Sequence, residues 1–543
     1  MNRRMRTLAI CLVLLGSAAM QFAAAAKSIA TASVAESLVV VTEGGALRGL
    51  LGNGVREFKG IPYAAPPIKA LRWSPPQAPV PWDGVRDATQ FRSACPQVVR
   101  FKLTEASDDE DCLYLNVATP AVPQHNKKRR PVIVWIHGGA WVGGGANLYP
   151  LDYLARRGDL VVVSINYRLG ALGFIPHPAF AASDNGAYGF EDQRQALRWV
   201  KRNIAAFGGD PGNVTIAGES AGAASVCMQL FAPEQSTGLF HKAIIQSAGC
   251  TFRLRSVAEN YKTGLALAMR VGCNDAASAL ACLRNKSVPE LLAAQTDMAA
   301  TDARAFAPSY GSAALPRDGA VALAAGEFVR VPIINGGTSH EMRLYVGYEV
   351  DAGQNVTADN YLLRLSALYG DKAAAVMQQY PLTAYSSPPT ALGTAMSDFM
   401  PGGGLSNCLF LRTARLASRF VPVFQYEFAD GAAPPVMPDP GFELGAVHSS
   451  ELPYFFPRFS NKSVFDGPDL TAPSQQLAAQ MVDYWSRFAR SGSPGGVGSA
   501  GWHRFKTATA VLRLQPGALR EYDADTAHLC AFWEKMYPDA LSS

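Results

Sequence analysis

The stretch from Val214 to Gly222 constrains this chain more than any other. It is an apolar run, Val214–Ala217, that breaks into Gly218-Glu219-Ser220-Ala221-Gly222 and continues in small residues suited to a helix start. Glycines on both sides of a serine let the backbone reverse sharply without a Cβ clash. A strand entering such a turn and a helix leaving it hold the serine hydroxyl clear of the sheet edge. The first turn of the helix then favours negative charge developing beside it. A buried structural serine is the plain alternative, so the reading depends on what else surrounds the turn.

Other apolar runs have the length of buried strands: Val132–Ile136, Leu160–Ile165, Ala243–Gln246, Val331–Asn335 and Val421–Tyr426. Helical periodicity lies between or after some of them. Gln193–Phe207 places Ala196, Leu197, Val200, Ile204 and Phe207 on one stripe, and Gln475–Arg490 does so with Leu477, Met481, Tyr484, Trp485 and Phe488. Alternating strands and helices predict an α/β fold: a central, mostly parallel sheet flanked by helices, with large loop insertions. The Pro- and Gly-rich stretches Pro62–Pro81, Pro388–Gly404, Gly431–Gly441 and Ser491–Gly501 are scattered and short, and read as surface loops rather than linkers.

The first residues read as an export signal. Arg3, Arg4 and Arg6 precede the apolar run Leu8–Leu15 and a small-residue stretch ending at Ala26, so residues 1–26 are expected to be a signal peptide. No later stretch reads as a membrane span. The chain carries a formal charge of +5, three units of which are those arginines, leaving +2 on the rest. That near-neutrality points to no nucleic-acid partner. The dense basic run Lys127–Arg130 reads as a solvated loop. Export to a periplasmic or extracellular space makes Cys95, Cys112, Cys227, Cys250, Cys273, Cys282, Cys408 and Cys530 disulfide candidates. No CxxC pair or close His/Cys cluster has zinc spacing, so neither metal nor cofactor is expected.

A second segment supports the serine. Val132–Ile136 runs into His137-Gly138-Gly139-Ala140-Trp141, a turn of small residues whose backbone N–H groups can approach a carbonyl oxygen. Together these motifs make the chain resemble the type-B carboxylesterases, the α/β-hydrolase family that includes cholinesterases and liver-type carboxylesterases. The resemblance is carried by Phe207–Gly222 (FGGDPGNVTIAGESAG), Glu110–Val117 (EDCLYLNV), Asn166–Phe174 (NYRLGALGF) and Asp192–Val200 (DQRQALRWV). Recognisable segments run from about Val41 to Trp533, so residues 35–543 are expected to form a single catalytic domain.

The resemblance implies specific roles. Ser220 is the nucleophile, and His448, in Gly445-Ala-Val-His-Ser-Ser-Glu451, is the general base. Glu341 falls on the acid position, in a segment with His340 and Met342 where relatives usually have aspartate and glycine. The oxyanion donors are the N–H groups of Gly139, Ala140 and Ala221. Glu219 either tunes His448 or is a buried carboxylate held by backbone hydrogen bonds. The family pattern pairs Cys95 with Cys112, Cys273 with Cys282 and Cys408 with Cys530, leaving Cys227 and Cys250 free.

The expected partner is a small-molecule ester, hydrolysed through an acyl-enzyme. The segment Pro96–Asp111 has no tryptophan, which speaks against a dedicated choline esterase. Trp141, Phe306, Tyr310, Phe399 and Phe455 are candidates for an apolar pocket suited to uncharged esters. The alternative is a non-catalytic adhesion protein on the same fold. Nothing in the sequence sets the oligomeric state.

Overall fold

The computed structural model describes residues 38–99, 105–121, 128–459, 469–495 and 501–542. The expected signal peptide, and Lys127 of the basic run, lie outside the described residues. Strands β1 (Val39–Thr42), β2 (Gly45–Arg48) and β5 (Val85–Asp87) form a small sheet. Among the described residues the main sheet has eleven strands. Its amino-terminal edge is built from β3 (Leu50–Gly52), β4 (Val55–Pro62) and β6 (Tyr114–Pro120), with β4 antiparallel to both of the others.

The centre of that sheet is parallel. It comprises β7 (Arg130–Ile136), β8 (Val161–Ile165), β9 (Gly209–Glu219), β10 (Lys242–Gln246), β13 (Ile333–Thr338), β14 (Val423–Phe428) and β15 (Val511–Leu514). The antiparallel β16 (Arg520–Tyr522) closes the far edge, and β11 (Arg255–Ser256) pairs with β12 (Ser309–Tyr310) outside the sheet. The spatial order is β16-β15-β14-β13-β10-β9-β7-β8-β6-β4-β3. In this order β7 leads to β8 on one side while β9 lies on its other side, a reversal that opens a crevice at the carboxyl ends of the parallel strands.

Both faces of the parallel centre are covered, as such sheets require. Along β7, Val132, Val134 and Ile136 point into one core, and Ile133 and Trp135 into the other. The two helices expected from periodicity serve opposite faces. Tyr188–Asn203 packs Ala196, Leu197 and Val200 on the first, and Ala472–Ser491 packs Leu477, Met481, Trp485 and Phe488 on the second. Each buried leucine or valine contributes about 1.5–3 kcal/mol to this sandwich.

Two expectations are corrected. Pro388–Asp398, read as part of a surface loop, is a helix with most of its residues buried. Its first residue is proline, which lacks only an N–H that no helix start uses. Cys227 and Cys250, expected to stay free, are joined, with Cα atoms 5.5 Å apart. Because β9 and β10 are parallel neighbours, the helix leaving β9 and the turn leaving β10 emerge side by side, which brings the two thiols together. Cys95–Cys112, Cys273–Cys282 and Cys408–Cys530 are also disulfides.

Candidate active site

Every segment of the site leaves a carboxyl end of the parallel sheet. Strand β9 ends at Glu219, and Ser220 follows with φ 58° and ψ −127°, conformational space that costs a non-glycine residue about 1–3 kcal/mol. Its N–H donates to the carbonyl of Gln246 at the end of β10, 2.9 Å away. The helix Ala221–Leu230 starts at once and is buried along its length. Close approach to β7 explains the second glycine of the motif. A Cβ on Gly222 would lie 2.0 Å from the Ile136 carbonyl oxygen.

The loop leaving β13 carries Glu341, and the long loop after β14 returns with His448. Two backbone bonds hold these loops in register, His340 N–H to Ala446 O at 2.9 Å and His448 N–H to Glu341 O at 3.4 Å. His448 Nδ1 lies 2.6 Å from Glu341 Oε2, and its Nε2 lies 2.9 Å from Ser220 Oγ. The other carboxylate oxygen of Glu341 accepts the Thr338 N–H at 2.7 Å. Glu341 is fully buried and His448 nearly so. In the neutral ring, a carboxylate on Nδ1 keeps the proton there and leaves the Nε2 lone pair facing the serine hydroxyl.

The turn after β7 borders the site. Gly138, Gly139 and Ala140 line the same cleft as Ser220 and His448. Gly139 has φ 110°, and a Cβ there would sit 2.2 Å from the Gly143 carbonyl oxygen. Ala140 and Trp141 follow with φ 55° and 59°, two consecutive non-glycine residues in the left-handed region. Ala221 is the first residue of the helix after Ser220.

Similarity to known proteins agrees with this architecture. Residues 36–533 match the model of the carboxylesterase family. The chain belongs to that family. Human cocaine esterase is 35% identical over 527 residues, covering 90% of this chain and 88% of its own length. Fumonisin B1 esterase of Sphingopyxis macrogoltabida is 33% identical, covering 88% of this chain and 86% of its own length. The solved structure of a thermophilic PNB esterase superimposes with a TM-score of 0.76 at 29% identity, covering 91% of this chain and 99% of its own. The protein is thus a carboxylic ester hydrolase with an α/β-hydrolase fold, and the non-catalytic alternative is set aside.

The departures of this carboxylesterase from its family's acid segment have structural partners. Met342 is buried, and its N–H donates to Ser397 Oγ at 2.9 Å. His340 places Nδ1 3.1 Å from Ser339 Oγ and does not line the cleft. Burial, with the Arg343 cation beside it, pushes its pKa down to about 3, so the ring is neutral.

None of the aromatic residues singled out from the sequence lines the cleft of this carboxylesterase. Phe399 packs against Trp533 and Tyr537, and Phe455 against Trp485. Phe306 is buried in a separate apolar cluster, and Tyr310 belongs to β12. Trp141 turns into the protein toward Phe174 and Phe252. The cleft, about 570 Å³ with its mouth included, is instead walled by Leu148, Tyr149, Leu344, Tyr345, Tyr348, Val436 and Phe459. Leu344, Tyr345 and Tyr348 sit on Arg343–Asp351, the helix that follows Glu341; their i+3, i+4, i+7 spacing from Glu341 was the available signal.

Buried carboxylates surround His448. Glu219 Oε1 lies 3.2 Å from His448 Nε2 and accepts the Ser449 hydroxyl at 2.8 Å, so a side chain holds it. Burial raises the pKa of Glu219, opposed by the nearby His448. Glu451 is likewise buried, and desolvation with the Glu219 charge pushes its pKa up to about 8. For His448, burial works against the charged form, but Glu219 and Glu341 outweigh it and raise the pKa to about 9.

Proposed function

We propose that this carboxylesterase acts through an acyl-enzyme on Ser220, with His448 as general base and Glu341 as the acid that orients it. The observation that carries the reading is His448 itself, its two ring nitrogens within 2.6 Å of Glu341 and 2.9 Å of Ser220. Glu341 holds the Nδ1–H, so Nε2 takes the Ser220 proton as Oγ attacks the ester carbonyl. The negative oxygen that forms meets the N–H groups of Gly139, Ala140 and Ala221; one such donor is worth about 10²–10³ in kcat. His448 returns the proton to the departing alkoxide oxygen. A water, activated by the same nitrogen, then releases the acid.

The substrates are uncharged carboxylic esters of short to medium chain. Support comes from the cleft walls, where leucine, valine, phenylalanine and tyrosine side chains dominate. Relatives are named for different substrates, cocaine and fumonisin B1 among them, so family membership alone does not choose the ester. Export after removal of residues 1–26 fits four disulfides and, among the described residues, no helix long and apolar enough to cross a membrane. Hydrolysis of p-nitrophenyl acetate by Ser220→Ala tests the mechanism. Loss of turnover is expected; full turnover overturns the reading.

A further inference from the structure

The proposed oxyanion donors come from two segments that must keep a fixed spacing. Gly139 and Ala140 belong to the turn after β7, and Ala221 to the helix after β9. The turn holds Ala140 and Trp141 at φ 55° and 59°, a pair of left-handed residues that persists only where the surroundings enforce it. Trp141 is the point of enforcement. Its carbonyl accepts the Gly170 N–H at 2.7 Å. Its indole N–H donates to Ser225 Oγ at 3.0 Å, and that hydroxyl donates to the Ala221 carbonyl at 2.8 Å. One relay of two hydrogen bonds therefore runs from the turn to the residue whose N–H completes the oxyanion hole.

The surroundings brace this relay. Ser225 is fully buried and Trp141 is 8% exposed, and neither lines the cleft. The Trp141 ring stacks on Phe252 with centroids 6.2 Å apart. Phe252 lies two residues beyond Cys250, and the Cys227–Cys250 disulfide ties that turn back to the helix carrying Ser225. Turn, helix and the segment after β10 thus form a closed triangle.

We propose that Trp141 is a positioning residue that sets the distance between the two halves of the oxyanion hole through its indole N–H to Ser225, an inference that rests on the acyl-enzyme reading. It acts on the transition state and not on substrate binding, because its side chain is outside the cleft. Trp141→Phe keeps an aromatic ring and removes the N–H, and Ser225→Ala removes the acceptor. Each should lower kcat on the order of 10- to 100-fold, as sub-ångström misplacement does, with KM unchanged.

The deciding probe is a trifluoromethyl ketone. Ser220 Oγ adds to its carbonyl carbon, the serine proton passes to His448, and the carbonyl oxygen becomes the oxyanion. Affinity for it should fall by the same factor as kcat/KM, while affinity for the matching methyl ketone is unchanged. The double variant should be no slower than the slower single one, since both break one relay. Unfolding curves verify that each variant is folded, and if Trp141→Phe is not, Ser225→Ala carries the ketone test. Wild-type kcat and trifluoromethyl ketone affinity in the folded variants, or losses that multiply in the double variant, overturn the proposal. Ser220→Ala separates the two claims: if it is inactive while the relay variants are unimpaired, only the relay falls, and if it is fully active, the acyl-enzyme reading falls.

Discussion

His448 and His528 are both buried histidines with a carboxylate oxygen 2.6 Å from Nδ1, Glu341 in one case and Asp398 in the other. They differ in what the second nitrogen meets. Nε2 of His448 faces the Ser220 hydroxyl at 2.9 Å on the wall of the cleft, with the Glu219 carboxylate farther away at 3.2 Å. Nε2 of His528 faces a second carboxylate, Glu427, which also accepts the Tyr522 hydroxyl. Tyr380 and Trp533 continue that network away from the cleft, through Tyr380 OH to Asp398 at 2.8 Å and Trp533 Nε1 to Tyr380 OH at 2.8 Å. A carboxylate–histidine pair is therefore no sign of catalysis by itself. What lies nearest Nε2, a hydroxyl on the cleft wall or a buried carboxylate, separates the proposed base from a structural cation.

The largest effects should break the comparison if it is wrong. His448→Ala should cut kcat by about 10⁴–10⁶ with the unfolding transition nearly in place. Glu341→Gln should cost about 10⁴ through the wrong tautomer. His528→Ala should reverse the pattern. It leaves two buried carboxylates without their cation, so denaturant unfolding should show a loss of about 3–5 kcal/mol, while kcat per folded molecule stays within about threefold. A stable but inactive His528→Ala would erase the distinction.

Smaller effects sharpen it. The Cys227→Ala/Cys250→Ala pair should lose about 3 kcal/mol of stability in the same assay, for a bridged separation of 23 residues. The two histidines should also respond to pH differently. The pKa of His528 is raised to about 10, where Glu427 and Asp398 outweigh burial. Its stabilisation is complete below its unfolded value and is lost as pH rises through about 10, as melting curves across the alkaline range should show. Glu427 is held low by His528 despite burial, so its share is lost instead as pH falls toward its folded pKa. His448 must be neutral to act, so kcat/KM should rise as it loses its proton. Glu219→Gln removes a charge that raises the His448 pKa and should move that limb of the pH profile to lower pH. Smallest of all, Tyr348→Ala should raise KM several-fold and leave kcat nearly unchanged.

The parts of this contrast were not equally visible beforehand. Ser220, His448 and the turn at Gly139 sit in local patterns where chain geometry and chemistry coincide, and the structure brings them together with Glu341. Six strands of the parallel centre, β7 to β10, β13 and β14, were legible because both of their faces are buried, and only their ends shifted: Val331–Asn335 became Ile333–Thr338; β15, four residues interrupted by Arg513, was not. The cleft walls were not legible. Trp141 and Tyr345 are both aromatic residues beside catalytic motifs, yet Trp141 turns into the protein and Tyr345 faces the cleft. The direction each takes depends on packing against distant segments. Cys227 and Cys250 escaped for the same reason, since their meeting follows from the β9–β10 pairing. The His528 cluster gathers Asp398, Glu427 and Tyr522 from across the chain, and no spacing announces it.

The most direct test of the central claim is intact-protein and peptide mass spectrometry after reaction with a fluorophosphonate. The account predicts one adduct per molecule, on the peptide containing Ser220, formed in step with the loss of esterase activity and greatly slowed in His448→Ala. Full inactivation with the adduct on another residue, or an active enzyme fully labelled at Ser220, would contradict it.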